Sequence, residues 1–85
     1  MIKVRCVGHI KTSLGMEEVE LDCAQIEATE LVERLRGMCV EKNPGFNKFN
    51  TLAMVEDGEA FVPASDSKVI RSGERVVLIP VSHGG

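Results

Sequence analysis

Apolar and polar side chains alternate over the first ten residues of the chain. The apolar set, with mostly polar side chains between its members, consists of Ile2, Val4, Cys6, Gly8 and Ile10. A period of two is typical of a β-strand with one buried face. Thr12 to Gly15 has the composition of a turn, and a second alternation follows from Glu18 to Cys23. The pattern predicts two strands that return as a hairpin.

The predicted hairpin carries opposite charges on its two outward faces. Lys3 and Arg5 project from the first strand, while Glu18, Glu20 and Asp22 project from the second. Opposite charges in cross-strand pairs contribute a few tenths of a kcal/mol each. We therefore expect these acids to form a solvated face.

The period changes to 3.6 after Thr29, where one apolar stripe follows the spacing of a helix. The stripe consists of Leu31, Val32, Leu35, Met38 and Cys39. Thr29 is a suitable N-cap, and the breakers Asn43-Pro44-Gly45 end the segment. The pattern predicts one helix of about fourteen residues.

A third strand is predicted after a loop that contains Phe46 and Phe49. Thr51 to Val55 has the composition of a strand, and Asp57-Gly58 then indicates a turn. Residues 59–72 show a mixed pattern and are predicted to be mostly loop.

The last strand decides the expected fold. A Ser72-Gly73 turn precedes Arg75 to Val81, the most continuously apolar strand, which favours a central position buried on both faces. The order of elements leaves one helix to cover one face of the sheet and places the last strand beside the first. We predict an α+β fold, a β-grasp roll with a mixed sheet of four to five strands and one main helix packed on one face. Residues 1–85 are expected to form a single domain, with 82–85 as a flexible C-terminal tail.

Length and composition fit a small globular domain. The chain has 85 residues, of which 44% are hydrophobic and 27% charged. A net charge of −3 and a pI of about 5.3 argue against a nucleic-acid partner, which normally requires a clustered basic surface. The longest apolar run, Val76 to Val81, is far shorter than the roughly 20 residues of a membrane span, and the start lacks the apolar segment of a signal peptide. We expect a cytoplasmic protein that binds neither nucleic acid nor membrane.

Cysteines and histidines give little indication of a reactive or metal-binding site. Cys6, Cys23 and Cys39 are widely spaced, form no C-x-x-C pair and fall on predicted apolar faces, where we expect them to be buried. His9 and His83 have no carboxylate or thiolate support, so no metal is predicted. A stand-alone enzyme with a cysteine nucleophile is an alternative that these positions disfavour.

Gly84-Gly85 follows the predicted central strand almost directly. Glycine lacks a Cβ, so such a segment can enter a narrow channel and approach a reacting centre closely. A terminal carboxylate, with an ordinary pKa near 3.5, is an anion and a poor electrophile at neutral pH. Another enzyme must therefore activate it. Joining the carboxylate to AMP makes a mixed anhydride, and attack by a sulfur donor on that anhydride yields a thiocarboxylate. A frayed end is the alternative interpretation.

The predicted elements and two short segments carry a resemblance to a known family. The chain resembles the MoaD/ThiS family of ubiquitin-like sulfur carriers in its predicted hairpin and helix, in Ser72-Gly73-Glu74-Arg75-Val76 and in the ending Leu78-Ile79-Pro80-Val81-Ser82-His83-Gly84-Gly85. The resemblance covers essentially the whole chain. Within that family, the chain is most similar to small subunits of molybdopterin synthase. The resemblance implies a ubiquitin-like β-grasp, with Gly85 as the site of the adenylate and thiocarboxylate and Gly84 beside it. It implies no permanently bound cofactor, because ATP is used by the activating enzyme.

The resemblance also implies a function and partners. The function is sulfur donation in molybdenum cofactor biosynthesis. The partners are a ubiquitin-activating-type adenylyltransferase, a sulfur donor such as a cysteine desulfurase or rhodanese-like protein, and a synthase large subunit that accepts the tail. Two features depart from the family pattern, since Glu74-Arg75 replaces Asp-Glu and His83 separates Ser82 from Gly84. A His-Gly-Gly ending is similar to that of ubiquitin-related modifiers of tRNA thiolation and protein conjugation, which is the alternative pathway.

A partner surface is expected around the last strand. Val7 points away from the buried face of the first strand, and alternate apolar residues of the last strand face the helix-free side. Phe61 is a candidate anchor. The predicted partner-binding residues are Val7, Phe61, Pro80, Val81, Ser82 and His83. A β-grasp binding module with an incidental Gly-Gly ending is the alternative from another class.

Overall fold

The computed structural model describes residues 1–41 and 43–81. Its elements, in chain order, are β1 (Ile2–Cys6), α1 (Gly8–Leu14), β2 (Glu18–Leu21), β3 (Gln25–Glu27), α2 (Ala28–Gly37), β4 (Thr51–Asp57), β5 (Ala60–Pro63), β6 (Val69–Arg71) and β7 (Arg75–Pro80). No helix among these described residues is long and apolar enough to cross a membrane.

Five strands form one mixed sheet in the order β2-β1-β7-β4-β5. Strand β7 is central and runs parallel to β1, whereas all other neighbours in this sheet are antiparallel. Strands β3 and β6 form a separate antiparallel pair. The predicted ubiquitin-like β-grasp, with the last strand beside the first, is confirmed.

The core lies between the sheet and its two helices. Apolar side chains from alternate positions of β1 and β7 meet the apolar stripe of α2 and two side chains of α1. The buried residues of these four elements are Ile2, Val4, Cys6, Val76, Leu78, Ala28, Leu31, Val32, Leu35, Ile10 and Leu14. Both helices therefore cover the same face of the sheet. Among the described residues, no helix covers the opposite face, which we call the helix-free face.

The segment between β1 and β2 is a helix, so the prediction of a strand to residue 10 and a turn at 12–15 was wrong. Gly8 has φ +61 and ends the extended backbone of β1, while Gly15 has φ +76 and its N–H donates to the carbonyl of Lys11. Ile10 and Leu14 are spaced four apart and face the core, as in a helix. Strands β1 and β2 are still antiparallel neighbours, and Lys3 lies opposite Glu20 in their register, which agrees with the predicted cross-strand pairing of opposite charges.

Helix α2 has ten residues rather than the predicted fourteen or so. Thr29 is not its N-cap, because Glu27 occupies that position and the Thr29 hydroxyl donates to the carbonyl of Asp66 at 3.3 Å. The helix ends at Gly37, a poor helix former. Met38, predicted on the buried stripe, is 47% exposed because it lies beyond the last turn.

Residues 59–72, predicted to be mostly loop, contain two short strands. Strand β5 follows the predicted turn at Asp57-Gly58 and pairs with β4, while β6 pairs with β3. Neither strand is long enough to show a clear alternation in the sequence. Their pairing partners, rather than their own composition, decide their conformation.

Strand β7 is central as predicted, but only one of its faces is fully buried. Val76 and Leu78 belong to the core, whereas Val77 and Ile79 are half-buried. The prediction of burial on both faces was wrong because both helices pack on the same side of the sheet.

Candidate functional site at the end of the central strand

The end of strand β7 and the residue after it are held by hydrogen bonds from two neighbouring segments. The N–H of Val7 donates to the carbonyl of Leu78 at 3.3 Å, and the N–H of Val81 donates to the carbonyl of Asn50 at 2.8 Å. Residues from the end of β1 and from the connection before β4 thus flank the end of β7. The chain therefore leaves the sheet at Val81 from a defined position.

Gly8 packs directly against Pro80 at this end of the sheet. A Cβ built on Gly8 would lie 2.9 Å from Cγ of Pro80, closer than real Cβ contacts, and Gly8 also has φ +61. Both the contact and the left-handed backbone require glycine. Sequence reasoning placed Gly8 in an alternation of buried positions and missed this role.

Replacing Gly8 with alanine is expected to lower the free energy of unfolding by about 2 kcal/mol or more, through left-handed strain and overlap with the Pro80 ring. Urea unfolding curves measure the loss. Gly37→Ala is the matched control, because nothing lies within 4 Å of a Cβ added there. That control is expected to be neutral or stabilising by up to about 1 kcal/mol. A Gly8→Ala chain as stable as the unaltered one would contradict the proposed constraint.

The connection that holds Val81 is itself well braced; we call residues Gly45 to Asn50 the 45–50 loop. Phe46 is fully buried, and its carbonyl accepts a 2.7 Å hydrogen bond from Nε of Arg36. The N–H of Asn47 donates to Oδ1 of Asn50 at 2.7 Å, and Nδ2 of Asn50 donates to the carbonyl of Gly45 at 3.0 Å.

Reciprocal bonds complete this bracing. Oδ1 of Asn47 accepts from the N–H of Phe49 at 2.8 Å and from that of Asn50 at 3.2 Å. Asparagine side chains commonly replace backbone partners in this way. The spacing of Asn47 and Asn50 is the sequence feature that would have indicated an ordered loop, and sequence reasoning did not use it.

The helix-free face of the sheet has an apolar centre. Strand β7 contributes Val77 and Ile79, and β4 contributes Leu52 and Met54, which are their direct partners across the ladder. All four are half-buried. Val7 directly follows β1, is half-buried and does not belong to the core, which agrees with the prediction that it points away from the buried face.

Charged side chains surround the apolar centre. Arg5 pairs with Glu17 at 3.0 Å and Arg75 with Glu56 at 3.8 Å, but these exposed pairs add little stability. A shallow depression of about 340 Å³ lies on this face, and its lining includes Lys3, Arg5, Glu18, Glu20, Phe61 and Arg75. An apolar centre with a charged rim is the composition of many protein interfaces.

The structure brings together only some of the predicted partner-binding residues. Val7 and Pro80 are half-buried, Val81 is 39% exposed, and all three lie at the same end of the sheet. Phe61 is 41% exposed and shares the helix-free face, but it pairs with Glu56, level with the start of β7. Phe61 therefore lies away from the end at which the chain leaves the sheet. Ser82, His83, Gly84 and Gly85 lie outside the described residues.

The pKa values of two of the three cysteine thiols are raised, which favours their protonated, less reactive form. Burial, assisted by the nearby Cys39, raises the pKa of Cys6 from its ordinary 9.0 to about 11, so the thiol stays protonated at neutral pH. Burial also raises the pKa of Cys39, and the charge of Glu41 adds to the increase, whereas Arg36 opposes it. The predicted burial holds for Cys6, whereas Cys23 and Cys39 are only half-buried. In the described ranges, no cluster of three or more His, Cys, Asp or Glu side chains is placed to hold a metal ion.

Comparison with solved structures relates this fold to a known one. The crystal structure of SAMP1 from Haloferax volcanii superimposes with a TM-score of 0.68, covering 99% of this chain and 98% of that one, at 15% sequence identity. At this identity the likeness concerns the fold, and it agrees with the ubiquitin-like β-grasp seen in the sheet order. No family model and no curated protein matches the sequence.

Proposed function

We propose that this chain is a ubiquitin-like sulfur carrier whose Gly85 carboxyl group is adenylated and then converted into a thiocarboxylate. Its proposed place is that of the small, sulfur-donating subunit of molybdopterin synthase in molybdenum cofactor biosynthesis. The chain is not catalytic by itself in this scheme. Its partners are a ubiquitin-activating-type adenylyltransferase, a sulfur donor and a large synthase subunit.

One observation carries the proposal: the central strand of a β-grasp ends at Pro80, and Gly84-Gly85 begins four residues later. Val81 is bonded to Asn50, and Pro80 packs on Gly8, so the body of the protein supports the chain up to that point. A rigid body that presents a side-chain-free ending suits delivery of a carboxyl group into the channel of another enzyme.

The chemistry needs a reactive group at Gly85 alone. The carboxylate oxygen attacks the α-phosphorus of ATP, the bond to the β-phosphate oxygen breaks, and pyrophosphate leaves. A sulfur nucleophile then attacks the acyl carbon of the mixed anhydride and displaces AMP. When the nucleophile is a persulfide, the first product is an acyl disulfide. A thiol releases the thiocarboxylate from it and is itself oxidised to a disulfide.

The helix-free face is the proposed docking surface for the partners. Val77, Ile79 and Met54 offer an apolar centre, and the rim carries charges of both signs. Val7 and Val81 extend this surface toward the end of β7, where a partner that accepts the C-terminal residues must lie. Buried apolar area supplies most of the affinity, while the charged rim selects the partner.

Intact mass measurement tests the proposal directly. The chain is incubated with an adenylyltransferase of the ubiquitin-activating type from the same organism, ATP and a persulfide donor. We expect a gain in mass equal to the replacement of one oxygen by one sulfur, and no gain in a chain that lacks Gly85. If an adenylyltransferase that is active on another substrate forms neither adenylate nor thiocarboxylate here, the carrier function is wrong and the binding-module alternative gains.

A second use of the same activated carboxyl group is attachment to amines of other proteins. The ending His83-Gly84-Gly85, which is similar to that of ubiquitin-related modifiers, favours this candidate. Both uses share the adenylate. The two uses differ in their products. Conjugation produces a stable amide between Gly85 and a lysine of the acceptor protein, whereas sulfur transfer returns the chain with its carboxylate restored.

A further inference from the structure

The 45–50 loop presents an exposed aromatic ring beside the end of β7. Phe49 is 76% exposed, although Phe46, three residues earlier in the same loop, is completely buried. The residue after Phe49 is Asn50, whose carbonyl accepts the hydrogen bond from Val81. Phe49 is thus one residue from the contact that holds the start of the C-terminal segment.

The loop braces the backbone that carries this ring and leaves the ring exposed. Asn47 accepts a hydrogen bond from the backbone N–H of Phe49 at 2.8 Å, and Nζ of Lys48 lies 5.3 Å from the centre of the ring. This distance is within the range of a cation–π interaction, so a positive charge lies beside the apolar ring. Single exposed apolar residues are common, so exposure alone indicates nothing. The bracing and the position beside Val81 distinguish Phe49 from the others.

Chain length limits how far a partner enzyme can lie from this ring. Four residues separate Val81 from the carboxyl group of Gly85, and fully extended they span at most about 14 Å. An enzyme that acts on Gly85 must therefore bring its surface close to Val81 and to the neighbouring loop. Adenylation is the first step at that carboxyl group, so the adenylyltransferase is the first partner that must satisfy this limit.

We propose that Phe49, together with Lys48, is an anchor through which the adenylyltransferase docks on this chain. The complementary site on that enzyme is an apolar pocket with a carboxylate at its rim, beside the channel that receives the C-terminal residues. This inference rests on the proposed carrier function. The proposed docking surface then consists of the helix-free face already described and of the 45–50 loop at the end of β7.

Pyrophosphate exchange at varied carrier concentration tests the anchor, with the unaltered chain, Phe49→Ala, Phe49→Leu and Lys48→Glu as substrates. We expect Phe49→Ala to raise the KM for the carrier about tenfold, the scale of an interface hot spot, with kcat unchanged. Phe49→Leu is expected to recover part of the loss, and Lys48→Glu to raise KM several-fold. The matched control is Met16→Ala, an exposed apolar side chain just before the edge strand β2, with an unchanged KM.

The outcomes separate this inference from the function on which it rests. Exchange with the unaltered chain but an equal KM for every variant would overturn the anchor and leave the carrier function in place. No exchange with any chain would overturn both. Normal adenylation of Phe49→Ala followed by slow sulfur transfer to the acceptor would also overturn it, in favour of a contact with the acceptor. Unchanged urea midpoints for the variants verify that folding does not cause the effect.

Discussion

Adding one alanine after Gly85 is expected to lower the rate of adenylation by about a hundredfold or more. The extension moves the carboxyl group by about 3.5 Å, and misplacing a reacting group by even 1 Å can cost about a hundredfold. The added Cβ also occupies a channel that we propose accepts only glycine backbone. The extension lies beyond β7, so the urea midpoint should not change. Pyrophosphate exchange with the extended chain measures the effect.

Val40→Ala is a suitable control for this experiment, since the Val40 side chain is almost completely exposed and its loss should alter neither exchange nor stability. The extension also separates the two classes of function. A binding module tolerates one residue after Gly85, because its docking surface is on the sheet. An extended chain that exchanged pyrophosphate at the unaltered rate would contradict the proposed channel, because the carboxyl group of the added alanine would then react as well as that of Gly85.

Replacing Phe46 with alanine is expected to lower the free energy of unfolding by about 3–5 kcal/mol. Phe46 is the largest completely buried side chain, and its removal leaves a cavity beneath the 45–50 loop. A chain of 85 residues has a total stability of about 4–13 kcal/mol, so the loss is a large fraction. Urea denaturation measures it, and the melting temperature should fall by at least about 12 °C.

Phe49→Ala provides the matched control, because the same side chain is removed from the same loop at an exposed position. Its stability is expected to change by no more than about 0.5 kcal/mol. Phe46→Ala should impair folding, and Phe49→Ala should impair docking alone. Equal losses of stability in the two variants would contradict the assignment of Phe46 to the core and Phe49 to the surface.

The sheet was largely predictable wherever a strand has one buried face. In β1, Ile2, Val4 and Cys6 are buried and the residues between them are exposed, as the alternation indicated. Helix α2 was predictable for the same reason, since Leu31, Val32 and Leu35 repeat at helical spacing. A strong local period leaves one way to bury the apolar set, so neighbouring elements do not change the outcome.

Helix α1 was not predictable because its sequence fits two periods. Ile10 continues the alternation of β1, yet Ile10 and Leu14 also have the spacing of a helical face. The left-handed backbone of Gly8, pressed against Pro80, decides in favour of the helix. Strands β5 and β6 were missed for a related reason, because three or four residues carry too little pattern without their pairing partners.

Some features of the candidate site could likewise be predicted from the sequence, whereas others depend on the tertiary structure. The sequence by itself determined which faces of β1 and α2 are buried, and it placed Gly84-Gly85 after the last strand, whereas the packing of both helices on one side decided which face of β7 is buried. Only the tertiary structure decided that Phe46 is buried while Phe49 is exposed. It alone placed Asn50 against Val81 and Gly8 against Pro80. The physical reason is that periodicity reports burial along one element, whereas contacts between residues distant in sequence depend on how the elements pack.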